Sequence, residues 1–249
     1  MERIKSRHNP VCAHMKKLGF VGSYRKQTGE FLCDGLKLLA EAIKFDATIP
    51  VVLTSEKIPF PLPLGTRLYY AERSLIDSLS PLKNAQSVLF TCKTPQVTKT
   101  DITPGTHLLL DGVQDPGNVG AIIRTANAFG IKSIMLTGGC ADPYNPKTIR
   151  ATMGAIFKAC IYDIDKECLI AIKSKGFKII GTSLDRDCHD FSDVSYTDSV
   201  IAIGSEGSGL SEQIKPLCDE LIIIPIAPQC ESLNAAVAAG IIIWKAQQR

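Results

Sequence analysis

The chain lacks a long hydrophobic run. Segments such as Val237 to Trp244 fall far short of the roughly 20 apolar residues that a bilayer span needs, so a membrane protein is not expected. It lacks a secretion signal, since Met1-Glu2-Arg3-Ile4-Lys5 has nothing of the charged, apolar and small-residue regions of one. It lacks any Cys-x-x-Cys pair, and Cys188-His189 stands alone, so a tetrahedral zinc site has no support and no metal is expected. Nine cysteines, an odd number without a signal, read as reduced thiols of a cytoplasmic protein rather than a disulfide framework. Neither Gly-Lys-Ser/Thr nor the Gly-x-Gly-x-x-Gly of dinucleotide sites is present, which disfavours a triphosphate or nicotinamide ligand. No internal repeat is found.

What is present is ordinary in amount and uneven in placement. The 249 residues are 45% hydrophobic and 21% charged, values of a globular chain long enough for one large domain or two smaller ones. The net charge is only +3. Residues 1 to 30, however, carry seven cations (Arg3, Lys5, Arg7, Lys16, Lys17, Arg25, Lys26) against Glu2 and Glu30, an excess of five that leaves the rest at −2. A basic N-terminal region on a near-neutral body suits a polyanion such as RNA, although a solvated basic face would read the same.

From Phe31 through Phe90 short strands alternate with helices, with Asp34 to Phe45 helix-like and Pro50 to Thr54 strand-like. This is a small α/β unit, residues 1 to 92. The stretch from Lys93 to Gly105 is polar and β-branched with two prolines, and residues 93 to 106 read as a linker. Beyond it the alternation is regular. Strands are expected at His107 to Leu110, Ser133 to Leu136, Lys178 to Gly181, Val200 to Gly204 and Leu221 to Pro225. Helices are expected at Val119 to Phe129, Leu169 to Lys175, briefly from Ser211, and from Glu231 to Gln247. Apolar strands separated by helices indicate an α/β domain over 107 to 249 with a mainly parallel sheet covered on both faces.

Three segments of that half carry chemistry. Asp111-Gly112-Val113-Gln114-Asp115-Pro116-Gly117-Asn118-Val119-Gly120 runs from a buried strand into the helix bearing Arg124, and Asn118 can cap that helix or offer its amide to a ligand. Read alone, a capped helix with a surface arginine would explain it as well. Gly204-Ser205-Glu206-Gly207-Ser208-Gly209-Leu210 lies at the carboxyl end of a strand, where α/β sheets bind ligands. Its Glu206 would repel phosphates but tolerate a cationic sulfonium or a ribose. In Ile224 to Gly240, a strand passes through a proline-containing loop into an alanine-rich helix, where Ser232 and Asn234 can serve as caps.

Together the order of Asn118 with Arg124, then Gly204-Ser205-Glu206-Gly207, then Ile224-Pro225 with Ser232-Leu233-Asn234 resembles the SpoU (TrmH) family of RNA 2'-O-methyltransferases. Pro146 to Ala155 also looks like a family segment. Residues 1 to 92, including Ser6-Arg7-His8-Asn9-Pro10 and Phe31-Leu32-Cys33-Asp34-Gly35, resemble the family's small RNA-binding domain. The resemblance implies a deep C-terminal trefoil knot of the SPOUT class, a homodimer, and S-adenosylmethionine as cofactor. It implies cofactor contacts from Thr182, Ser183, Gly204, Ser205, Glu206, Gly207, Ile224, Ile226, Ser232, Leu233 and Asn234. Arg124, Asn118, Glu206, Asn234 and Ser232 become the catalytic candidates. Family reasoning casts Arg124 as the activator of the ribose hydroxyl. A guanidinium hardly ever deprotonates, so Arg124 reads better as a donor to the developing alkoxide, with Glu206 competing as proton acceptor or as the group that orients Asn118 and Arg124. Ribosomal RNA is the expected substrate, with transfer RNA, a non-catalytic RNA-binding protein of the same fold, a nucleotide-dependent oxidoreductase and thiol catalysis as the rivals.

Overall fold

The computed structural model describes residues 2 to 96, 102 to 184 and 188 to 248. The chain divides into two compact units, Met1–Gln96 with Asp142–Lys158, and Val97–Ala141 with Ala159–Arg249.

The first unit is built on β1 (Glu2–Ile4), α1 (Pro10–Phe20), α2 (Gly22–Thr28), β2 (Glu30–Asp34), α3 (Leu36–Lys44), β3 (Val51–Thr54), β4 (Arg67–Ala71), α4 (Arg73–Leu79) and β5 (Val88–Lys93). Its five-stranded sheet runs β1-β4-β3-β5-β2, with β1, β4 and β3 parallel and β5 antiparallel to both its neighbours. Asn9 starts α1 by accepting the Val11 N–H at 2.9 Å ahead of Pro10, whose missing N–H costs nothing at that position. One face of the sheet is sealed by Met15 and Leu18 of α1 and Ile76 and Leu79 of α4 against Leu32, Leu53 and Leu89.

Asp142–Lys158, with its helix α6 (Pro146–Thr152), packs into this unit although it follows strands of the other. Arg25 holds it: the guanidinium donates to Asp142 Oδ2 from Nε at 2.8 Å and from Nη2 at 2.6 Å, and to the Leu18 carbonyl from Nη1 at 2.7 Å. Phe31 lies against Tyr144 and Phe157, with ring centroids at 4.9 and 6.4 Å. Arg25 is only 6% exposed, and Arg3 pairs with Glu72. The excess of N-terminal cations is therefore smaller at the surface than in the sequence.

The second unit contains β6 (Thr106–Asp111), α5 (Pro116–Ala128), β7 (Ile134–Leu136), β8 (Ile161–Asp163), α7 (Lys166–Ser174), β9 (Lys178–Thr182), β10 (His189–Asp190), β11 (Ser199–Gly204), β12 (Glu220–Ile223) and α8 (Ala235–Ala246). All its strand pairs are parallel, in the order β10-β12-β9-β11-β6-β7-β8. The central β6 and β11 are buried along their whole length, as strands covered on both faces must be. Leu109, Val200 and Ala202 point into a core with Leu169 and Ile172 of α7. The sheet is an α/β sheet of mainly parallel strands, as its apolar runs indicated.

Two expected helices are corrected. After Ser211 the chain forms turns and a three-residue 3-10 helix, Lys215–Leu217. Pro216 has no N–H to return to the preceding turn, and Leu217 and Cys218 bond back to Ile214 and Lys215 instead. The last helix begins at Ala235 rather than Glu231, because Asn234 Oδ1 accepts the N–H groups of Ala236 and Val237 at 3.0 and 3.3 Å. Of residues 93 to 106, read as a linker, 97 to 101 lie outside the described residues.

Candidate functional site

The site forms where β9, β11 and β12 end. Beyond them lies a cavity of about 290 Å³, lined by Thr182, Ser183 and Leu184, by Ile203 through Leu210, by Lys215, by Ile222, Ile224, Ile226, Ser232 and Leu233, and by Ala235, Ala238 and Ile242 of α8. The size sits at the low end of small-molecule sites, and the lining is mostly apolar with a few polar groups, as such sites are. Among the described residues no histidine lines it.

The glycine loop is shaped by close approach. A Cβ at Gly204 would stand 2.2 Å from the Gly209 carbonyl carbon, so only glycine lets the loop fold back on its own stem. Ser205 and Gly209 then exchange two backbone hydrogen bonds, each at 3.0 Å. Gly207 at the tip meets nothing within 4 Å. Opposite it, the segment from Ile224 to Leu233 makes a single backbone–backbone hydrogen bond among the described residues, Cys230 N–H to the Ala227 carbonyl at 2.9 Å. Peptide groups without partners must bond water or a ligand, and here they stand beside the apolar side chains of Ile224, Ile226 and Leu233.

Asn118 joins the other two segments. Its helix α5 is capped by Asp115, which accepts the Asn118 N–H at 2.8 Å, so the side chain of Asn118 stays free of the cap. Its Nδ2 donates to Glu206 Oε1, and its Oδ1 accepts from Asn234 Nδ2 at 3.0 Å. Asn234 serves two purposes, its oxygen capping α8 and its amide directed to Asn118. A run of three polar side chains thus links the three sequence segments.

Of the residues expected at the cofactor, Thr182, Ser183, Gly204, Ser205, Glu206, Gly207, Ile224, Ile226, Ser232 and Leu233 line the cavity, while Asn234 lies next to it at the head of α8. Arg124 is not brought in. It is exposed on α5, outside the cavity lining. Lys215, Ala238 and Ile242 also line the cavity and were not singled out from sequence, since nothing local marks a side chain that comes to face the glycine loop only through folding. The missing helix after Ser211 weakens the dinucleotide rival further, because a pyrophosphate there would find no helix N-terminus.

Residues 105–244 match the model of the SpoU rRNA Methylase family. The chain belongs to that family. Among its relatives is the 23S rRNA (guanosine(2553)-2'-O)-methyltransferase RlmP of Bacillus subtilis, 30% identical over 98% of this chain and 98% of its own length. An AdoMet-bound rRNA methyltransferase of Sinorhizobium meliloti superposes with a TM-score of 0.88 at 28% identity, covering 99% of this chain and 97% of that one. The SpoU methyltransferase AviRb of Streptomyces viridochromogenes, in complex with AdoMet, gives 0.84 at 26% identity, covering 96% and 97%. As a SpoU-family member, the chain carries its glycine loop, its proline loop and Asn118 inside the matched region.

Proposed function

We propose that this protein transfers the methyl group of S-adenosylmethionine to a ribose 2'-hydroxyl of ribosomal RNA. The observation that carries the reading is the hydrogen-bonded run Asn234, Asn118, Glu206 at the edge of an apolar cavity in a SpoU-family chain. The Bacillus relative, matched end to end, is named for this reaction on 23S rRNA.

The residues fit the cofactor. Ile224, Ile226, Leu233, Leu210 and Ile203 offer a slot for a flat heteroaromatic ring, and the peptide groups between Ile224 and Leu233, which make a single backbone–backbone bond among the described residues, offer donors and acceptors to its edge. Gly207 lets a ligand approach backbone. When bound, S-adenosylmethionine supplies an electrophilic methyl on a sulfonium, and Glu206 is the cavity's carboxylate that tolerates that charge. Ser232 offers a hydroxyl toward the same space.

The work of the chain is to place the ribose and to stabilise the oxygen as its proton leaves. Orientation supplies much of such an acceleration. Asn118, fixed at both ends of its amide, positions Glu206, and Glu206 accepts the hydroxyl proton or passes it to water. Arg124 stabilises the developing alkoxide and grips an adjacent phosphate as a permanent donor. Its exposed position on α5 leaves it free to meet RNA.

The first unit is read as the RNA-binding part, on the strength of its exposed cations on and around α1, such as Lys5, Arg7 and Lys16. The protein is read as a homodimer, which is supported by Val237 and Trp244, both 52% exposed and two turns apart on α8. The deep knot is supported by the path after β12: that strand lies beyond β9, yet α8 returns to pack on α5 and β11. Among the described residues no helix is long and apolar enough to cross a membrane, and the reading places the enzyme in the cytoplasm with its RNA.

The test is incubation of the protein with labelled S-adenosylmethionine and undermethylated 23S, 16S or transfer RNA. Label in 23S rRNA is expected. Label confined to transfer RNA would replace the substrate, and label in none would remove the activity.

A further inference from the structure

Both stems of the glycine loop meet at one residue. Asp111 ends β6 and pairs in register with Gly204, the residue at which the loop leaves β11. Its carboxylate reaches the other stem: Oδ2 accepts the N–H of Ser211, directly after Leu210, at 2.7 Å. Oδ1 accepts the Thr137 hydroxyl at 2.7 Å. Asp111 is 5% exposed, so these are bonds in a region of low dielectric, where an ionised acceptor binds its donors more strongly than a neutral one. Gly112 follows in the left-handed region, φ 67, and runs alongside Ser205, 4.0 Å from a Cβ built on it.

The Ser205 and Gly209 pair fixes the inside of the loop. It does not fix the angle between the loop and the sheet. The bond from Asn118 to Glu206 holds the middle of the loop, and the bond from Ser211 to Asp111 closes its stems.

We infer that Asp111 is a positioning residue for the cofactor, clasping the exit stem of the Gly204 to Leu210 loop to its entry stem and so setting the width of the cavity. The inference rests on the reading of that cavity as the S-adenosylmethionine site. Asp111 itself is absent from the cavity lining and acts through the loop. Thr137, at the end of the neighbouring β7, holds the carboxylate in the orientation that leaves Oδ2 for Ser211.

The test uses the full chain and three variants, Asp111→Ala, Asp111→Asn and Thr137→Val, with the Kd for S-adenosylmethionine measured by calorimetry and exchange of the Ser211 amide proton followed in parallel. Loss of one buried charge-assisted bond predicts a Kd about tenfold higher in Asp111→Ala, faster Ser211 exchange, and kcat at saturating cofactor changed less than about threefold. Asp111→Asn should recover most of the affinity, because its oxygen can accept from Ser211 while its amide donates to Thr137. Thr137→Val should lie between. A Kd in Asp111→Ala within about twofold of the unsubstituted protein, or a Kd across the variants that follows melting temperature and not Ser211 exchange, overturns the proposal. If Asp111→Ala does not fold, the order of Thr137→Val and Asp111→Asn decides by the same criterion. Absence of S-adenosylmethionine binding by the unsubstituted protein overturns the cavity reading instead, and Ser211 exchange then decides the clasp alone.

Discussion

The cavity and the outer face of α5, proposed above as the cofactor and catalytic sides, are built to different degrees of completion in the second unit. Among the described residues the cavity is lined by the ends of β9 and β12, the glycine loop, the segment from Ile224 to Leu233 and α8, with the loop closed on itself and α8 capped by Asn234. Asn118 belongs to that assembled side through Glu206 and Asn234. Arg124, six residues further along the same helix, stands exposed outside it. The contrast separates what the fold of one chain already joins, Asn118 with Glu206 and Asn234 beside the cavity, from Arg124, which that fold leaves exposed.

The largest effect that would sharpen this contrast is on Arg124. Arg124→Ala is expected to lower methyl transfer by about 10²- to 10³-fold, the range for loss of one transition-state donor, with the Kd for S-adenosylmethionine unchanged in calorimetry. Normal turnover would remove Arg124 from the mechanism, and a lost Kd would dissolve the contrast. Gly204→Val comes next. Its side chain would collide with the Gly209 backbone, and backbone cannot yield as a side-chain end does. A cost of at least about 1–3 kcal/mol is expected, read as a lower Tm together with loss of cofactor binding.

A smaller effect is expected at the junction of the two sides. Glu206→Gln keeps the hydrogen bond to Asn118 and removes the proton acceptor, so it should lower kcat by about tenfold or more with little change in KM for RNA. An unchanged kcat would leave Glu206 as an orienting group only. The smallest test concerns two thiols, Cys218 packed against the core and Cys230 exposed. Burial pushes the Cys218 thiol up to about 11, and a raised thiol pKa means less thiolate at a given pH. At pH 8 only about one Cys218 in a thousand is thiolate, so alkylation should label the exposed Cys230 well before it.

Much of the second unit was legible because its signals are local. Strands buried on both faces read as unbroken apolar runs, as at Leu108-Leu109-Leu110 and Val200 to Ile203. Asn118, Glu206 and Asn234 were legible one by one as a helix start, a loop centre and a cap, and jointly through the family resemblance. The pairing of Glu206 with Asn118 was anticipated as an orienting role, whereas the bond from Asn234 to Asn118, across 116 residues, was not. The same distance hid the bond of Arg25 to Asp142, 117 residues apart, and with it the packing of Asp142–Lys158 into the first unit. The helix read from Ser211 failed for a local reason that outranked periodicity, the absent N–H of Pro216.

The central claim, methyl transfer to a ribose, is tested most directly by digesting labelled 23S rRNA after reaction and locating the label. Label is expected on a single nucleotide at its 2'-oxygen, seen as a linkage resistant to alkali, and formed about 10²- to 10³-fold more slowly with Arg124→Ala. Label on a base, or an alkali-labile linkage at the labelled nucleotide, would contradict it.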